Sequence, residues 1–369
     1  MSKGFWTTGA SALIAIGAFA GCVGGADDMP LTTASLAGAP WLAFVANARS
    51  NDISSYVIND ATGALTSSGA PVAAGSSPLA LAVSASGKFA YVANFGSGTL
   101  AGYRIDAASG TLQALGAPVV TGPGPASIAM SPSGAFVYVA SVNSGDVSVY
   151  AVNAATGALT AAGAPVAAGD APSSIAIDPL GRFAYVSNLM SNDVIAFAID
   201  VHSGLLTRIG ERTPVGWNPL AIAVDAAGKF VYVANHGAHT VSTFAISAIS
   251  GALTPVGVPI ATGGSPAAVT VHPSGRAVYV TNAVSNDVSV YAVDAATGAL
   301  SGIGAPLATG VAPRAIALDP SGHFAYVSNG GSNSISIYAV AAESGALTPI
   351  GTAATQGMAP SAVVISSAL

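Results

Sequence analysis

The 369-residue chain is sparsely charged, with 7% Asp, Glu, Lys and Arg and a formal net charge of −6, which excludes the basic footprint of a nucleic-acid binder. It is 51% hydrophobic, with a mean hydropathy of +0.62, yet past the N-terminal leader the apolar residues come in short runs cut by turns, none long enough to span a bilayer. Cys22 is the only cysteine, so an intramolecular disulfide is excluded.

Residues 1–21 read as an export signal: Lys3 supplies a positive start, the segment from Ala10 to Ala20 is mostly apolar, and Phe19-Ala20-Gly21-Cys22 resembles the lipobox of bacterial lipoproteins. In that reading Cys22 becomes the lipidated first residue, placing the protein at the bacterial cell envelope with the membrane as a partner only through its anchor. The alternative is ordinary cleavage after a small residue, which leaves Cys22 as a stray thiol or removes it. Val23 is not the Asp that favours inner-membrane retention, so delivery to the outer membrane is the weaker inference added to that one. Residues 22–40, rich in Gly, Ala, Asp, Thr, Pro and Ser, are expected to be a flexible tether.

From residue 41 onward the chain repeats. Asn47, Asn94, Asn188, Asn235, Asn282 and Asn329, with Ser141 in the remaining slot, recur every 47 residues without insertion or deletion, and residues 41–369 make seven such units. Periods of this length with several strand signals mark propeller blades. In the unit from Pro172, an apolar run (Ile175-Ala176-Ile177) leads into the turn Asp178-Pro179-Leu180-Gly181, where Pro presets φ and Gly closes the turn. A second strand, Phe183 to Ser187, ends at Asn188, a residue type that tolerates a left-handed turn conformation. A third strand, Val194 to Ile199, precedes a Ser-Gly or Thr-Gly turn with Gly at 63, 110, 157, 204, 251, 298 and 345, always followed two residues later by the Leu that begins the fourth strand. No sustained 3.6-residue apolar period occurs, so an all-β, seven-bladed propeller with four antiparallel strands per blade is expected. The array starts out of phase: Trp41 to Asn47 is a second strand with no first strand before it, and Pro360 to Ile365 is a first strand with no second strand after it. Their pairing would close the ring and remove its open edges. A monomer is expected.

In so uniform a chain the informative residues are those that differ from their equivalents. Strand direction places the loops between second and third strands, and those leading into each first strand, on one rim, here the upper rim. Trp217 stands where other units carry Ser76, Pro123, Asp170, Gly264, Val311 and Met358; His236 and His239 lie in the following loop; Arg49 occupies another; Arg314 begins an innermost strand where the others have Leu, Ala or Ser. Together they could form a site for a small-molecule, carbohydrate or protein ligand, with Arg for an anionic or carbonyl oxygen, His as proton acceptor and Trp as a stacking wall. The competing reading is drift on a tolerant rim. Arg208, Glu211 and Arg212 replace a Gly-Ala-Pro pattern on the outer wall and read as a surface ion pair or partner contact. Asn at nearly every blade, with Asp52, Asp146, Asp193 and Asp287, reads as turn geometry rather than a metal site, and no cofactor motif is present.

Phe230-Val-Tyr-Val-Ala-Asn235, Ala277-Val-Tyr-Val-Thr-Asn282 and the Thr297-Gly298-Ala299-Leu300 turn resemble the lactonase family of seven-bladed propellers and the related Tyr-Val-Thr-Asn repeat proteins of bacterial surfaces, over the whole chain from about residue 41. That family includes 6-phosphogluconolactonase, and the resemblance implies Arg, His and Glu at the channel mouth. The family's Gly-Pro-Arg-His signature is matched in part by Ala312-Pro313-Arg314-Ala315, keeping the Arg but placing Ala315 where a His is expected. The expectation is therefore a non-catalytic, lipid-anchored binding propeller, with lactone hydrolysis by Arg314 and His236 or His239 as the alternative.

Overall fold

Residues 40–366 are described by the computed structural model, and every helix or strand among them is a β-strand. The expected leader, Cys22 and all but the last residue of the tether lie outside the described residues. Seven antiparallel sheets form a ring in which each innermost strand touches the next: those starting at Pro172, Pro219, Pro266, Pro313, Pro360, Pro78 and Pro125 follow in that order and return to Pro172. Blade one is built as expected, its innermost strand Pro360–Ser366 pairing with Trp41–Asn47 from Leu42↔Ser366 to Asn47↔Pro360. Blades two to seven start at Pro78, Pro125, Pro172, Pro219, Pro266 and Pro313.

The hydrophobic core lies between blades. In each second strand alternate residues face opposite neighbours, as the two-residue period requires. Phe136, Tyr138 and Ala140 of blade three pack on Ala184, Val186, Ile195 and Phe197 of blade four, and six equivalent clusters complete the circuit. Burying one such Phe stabilises the fold by roughly 1.5–3 kcal/mol. Small residues opposite the rings let the sheets approach closely.

Polar stitches cross the same interfaces. The Tyr91 hydroxyl donates to the Gly157 carbonyl of the next blade at 2.9 Å, Tyr185 to Gly251 at 3.0 Å and Tyr279 to Gly345 at 2.8 Å. Tyr326 makes the same bond to Gly63, at 2.9 Å, across the junction of the two chain ends. Gly63 has φ of 70°, and a Cβ on it would lie 2.5 Å from the Phe324 ring, so the Ser-Gly or Thr-Gly turn is required both by its conformation and by the neighbouring blade.

Two features differ from the sequence expectation. The outermost strand is continuous in blades four and seven only, Leu206–Pro214 and Leu347–Ala354; in the other five it is broken into two short pieces. Each break falls at a proline, Pro71, Pro118, Pro165, Pro259 or Pro306, whose missing N–H cannot extend the ladder, whereas Arg212 and Ala353 occupy that slot in the unbroken strands. The left-handed residue, moreover, is not the Asn that closes the second strand. Asn47, Asn94 and their equivalents are fully buried in the strand, with Nδ2 donating to the third strand, as from Asn47 to Asp52 (2.7 Å) and Ser54 (2.9 Å). Positive φ falls four residues later, at Asn51, Gly98, Gly145, Asn192, His239, Asn286 and Asn333.

Because the last strand supplies the inner edge of blade one, deleting residues 359–369 is expected to lower the melting temperature severely or yield aggregates. A truncated chain melting like its parent in calorimetry would show that the ring closes otherwise.

Candidate functional site

The axial channel opens on the upper rim into a cavity of about 430 Å³, within the range of small-ligand sites. Its wall is the start of the innermost strands: Leu79, Leu220 and several Ala residues supply apolar surface, and Ser127, Ser174 and Arg314 supply polar groups. Arg314 is solvent-exposed, and among the described residues its guanidinium has neither an ion pair nor a hydrogen bond. Gly330 makes room for it, since a Cβ there would come within 3.1 Å of Arg314 Cγ. Five of the equivalents of Gly330 are Ala48, Phe95, Val142, Leu189 and His236, so the arginine and the glycine that accommodates it break the repeat together. Ser127 and Ser174 accept the backbone N–H of Ile175 (3.1 Å) and Ile222 (3.4 Å) from the next blade, leaving their hydroxyl protons to donate into the cavity. The lining holds no carboxylate and no imidazole. A concave wall with a free guanidinium and hydroxyl donors and no carboxylate is suited to an anionic or carbonyl oxygen.

Neither histidine singled out in the sequence lines this cavity; each has a bond that binds blade to blade. His239 Nδ1 accepts the backbone N–H of Ser265 at 2.8 Å. Asn51, Asn192, Asn286 and Asn333 accept the N–H of Ser77, Asn218, Ala312 and Ala359 in the same way, each at 2.7 Å. Those acceptor residues hold the left-handed residue ahead of the next blade's first proline, and His239 copies the Asn geometry with an imidazole. His236 Nδ1 donates to the Pro266 carbonyl at 3.1 Å. In two other blades a serine makes that bond, Ser173 to Pro219 and Ser361 to Pro78, both at 2.7 Å; where Leu220 has replaced the serine, His236 supplies the proton instead. Trp217 and Arg49 are exposed on the rim outside the cavity. On the outer wall Arg212 pairs with the nearly buried Asp193 at 3.2 Å and Arg208 with Glu211 at 3.7 Å.

The family model described as "Lactonase, 7-bladed beta-propeller" matches residues 74–172, 163–265 and 259–365. The chain belongs to this family. Solved structures share the ring. A protein of Bacteroides fragilis described as a candidate 6-phosphogluconolactonase is 22% identical, with a TM-score of 0.79, over 92% of this chain and 100% of that one. A similarly described protein of Bacteroides uniformis is 19% identical, with a TM-score of 0.80, over 89% and 99%. The periplasmic gluconolactonase of Pseudomonas aeruginosa is 22% identical, with a TM-score of 0.77, over 89% and 99%. At these identities the likeness is one of fold. No curated protein matches the chain.

Within this lactonase-family ring, the sequence reading does not single out His272, which stands where three blades carry Asp178, Asp225 and Asp319 and three carry Ser84, Ser131 and Ser366. It is buried in a lower-rim turn, Nδ1 bonded to Ser274 Oγ at 2.7 Å and Nε2 to the Gly322 carbonyl at 3.0 Å. The signal was the departure itself, an imidazole in a slot otherwise held by oxygen acceptors. Among the described residues no group of three or more His, Cys, Asp or Glu is placed to hold a metal ion.

His239→Asn is expected to melt like the wild type, because Asn fills that slot in four blades. His239→Ala is expected to lose about 1–2 kcal/mol, from the lost bond and from the left-handed backbone, in chemical denaturation. Burial holds the His272 imidazole below its ordinary value, against the opposing effect of its bond to Gly322. The folded chain thus binds that proton more weakly than the unfolded one, and stability should fall as pH drops through about 6.5. In His272→Ser, with the residue used at Ser84 and Ser131, melting temperatures measured from about pH 7.5 to 5.5 should lose that decline.

Proposed function

We propose that this lactonase-family propeller is a non-catalytic binding protein of the bacterial cell envelope, held by a lipid on Cys22, whose channel mouth takes a small anionic ligand such as a sugar acid. The observation that carries this reading is the cavity itself: a free guanidinium at Arg314, hydroxyl donors at Ser127 and Ser174, apolar walls, and no proton acceptor among the lining side chains. Opening a lactone requires water activated by a base while the carbonyl oxygen is polarised. Arg314 can polarise. The two rim histidines commit Nδ1 to the backbone and belong to blade five, with blade six between them and Arg314. A sugar acid, the product of such hydrolysis, needs only the donors. The position of Cys22 beside an export-type leader supports the anchor, and the periplasmic location in the printed name of the Pseudomonas relative is consistent with an envelope role.

Hydrolysis is the second reading, favoured by the family and by Arg314. His236 keeps Nε2 as a potential acceptor because Nδ1 carries the proton given to Pro266.

Purified protein is expected to show no turnover of sugar or aryl lactones above background, and to bind gluconate in a calorimetric titration with an affinity lowered about tenfold or more in Arg314→Ala. Turnover that disappears in Arg314→Ala would make the protein an enzyme. Cys22→Ser should release it from membranes, each buried methylene of an acyl chain contributing about 0.8 kcal/mol. Wild-type protein found soluble and unmodified by mass spectrometry would remove the anchor.

A further inference from the structure

The upper rim carries a second pattern that ligand binding leaves unexplained. Five blades consecutive around the ring, four, five, six, seven and one, each expose one large apolar side chain there: Met190, Trp217, Val284, Val311 and Met358, from 48% to 72% exposed. In blades two and three the same two slots hold Ser76 and Gly96, and Pro123 and Asn143. The exposed residues form one crescent around the mouth, centred on Val284 of blade six. Large apolar groups gathered along one arc mark an interaction face, whereas scattered ones do not.

Charge identifies the occupant. At one end of the crescent, beside Met190, lies exposed Asp170, whose carbonyl accepts the Met190 N–H at 3.1 Å; at the other, exposed Arg49 donates its N–H to the Met358 carbonyl at 3.1 Å. Neither side chain has an ion pair or hydrogen bond among the described residues. A two-fold axis through blade six, relating two rings face to face, exchanges blade five with seven and blade four with one. It sets Trp217 against Val311 of the other ring, Met190 against Met358 and Val284 against its own mate. The same operation brings Asp170 onto Arg49 at both ends. A surface whose apolar arc and opposite charges match under one two-fold is self-complementary, as an isologous interface must be.

We propose that the upper rim is a homodimerisation face, in which two copies meet around blade six and their channel mouths open into one shared chamber. The slots concerned are pinned by main-chain bonds, with Gly237 N–H donating to the Trp217 carbonyl at 3.0 Å, Val284 N–H to Gly264 at 2.9 Å and Gly331 N–H to Val311 at 2.9 Å. Their side chains are thus free of duties within the ring, and rim variants should fold normally.

The test is sedimentation velocity of the full chain, purified in non-ionic detergent with bound detergent subtracted, together with melting curves to confirm intact rings. A dimer is expected, converted to monomer by Trp217→Ser and by Val284→Asp at unchanged melting temperature. Arg49→Asp and Asp170→Arg should each weaken association about tenfold or more, and combining them should restore it, since the swapped charges meet again under the two-fold. In a Cys22→Ser background, Val284→Cys should cross-link on mild oxidation while Ile249→Cys, on the lower rim, should not. A monomer at every concentration overturns the proposal. So does a dimer indifferent to Trp217→Ser, or one in which the charge swap fails to rescue. Loss of gluconate binding in Arg314→Ala with the dimer intact, or the reverse, separates this face from the ligand site.

Discussion

The packing of a second strand against the turn glycine of the next blade, bonded in four of the seven junctions as from Tyr185 to Gly251, is the contact on which the ring depends. It ties the middle of one sheet to the outer hairpin of its neighbour, and the glycine that accepts it has no Cβ because the neighbour's phenylalanine occupies that space. A blade alone has two apolar faces and cannot bury either. Seven of them bury each other, and a linear stack would still leave two faces bare. The Tyr326 to Gly63 bond, identical in kind but joining the two chain ends, shows closure achieved by the same contact that joins blade two to three, four to five and six to seven. Geometry at the axis follows: the innermost strands approach closely enough to touch, yet seven of them leave a mouth wide enough for a small ligand.

Much of this was legible in the amino-acid order. A 47-residue period, strand-length apolar runs and an out-of-phase start together specify seven blades and the pairing of Pro360–Ser366 with Trp41–Asn47, because backbone register depends on spacing alone. Side-chain partners were less legible. That His239 accepts the Ser265 N–H follows from Asn51, Asn192, Asn286 and Asn333 doing the same, but only a structure shows which atom each Asn offers and to which blade. The break in the outer strand is written in five prolines, and its absence in Arg212 and Ala353, because each proline lacks the N–H that would extend the ladder. The role of His272 is not legible because its partner, the Gly322 carbonyl, lies 50 residues further on in the next blade.

The histidines show how a repeat protein disguises structural substitutions as functional ones. The departures at 236 and 239 have the chemistry of bases, and both have a blade-to-blade bond that another residue makes elsewhere. His236 even compensates for a neighbouring change, donating to Pro266 where Leu220 no longer can. Arg314 is different in kind. Its equivalents Ser173 and Ser361 bond to the next blade's proline carbonyl, but Arg314 makes no such bond, its charge has no partner among the described residues, and its room is provided by a second departure at Gly330. A side chain that costs the repeat a second substitution and returns no internal bond is better explained by something outside the chain.

The same distinction sorts the rest of the upper rim. The slot of Asn51, held through its side chain, varies only among residues that make the required bond or, as glycine, adopt the required backbone, and that of Asn47 changes only at Ser141. Slots held through the main chain alone, those of Arg49, Met190, Trp217, Val284, Val311 and Met358, are free to vary, and drift there should scatter polar and apolar residues without order. Instead the apolar residues occupy five adjacent blades, one in each, and the two unpaired charges lie at opposite ends. Freedom from internal duty explains why these positions can change. It does not explain their order around the ring, and a partner related by a two-fold through blade six would.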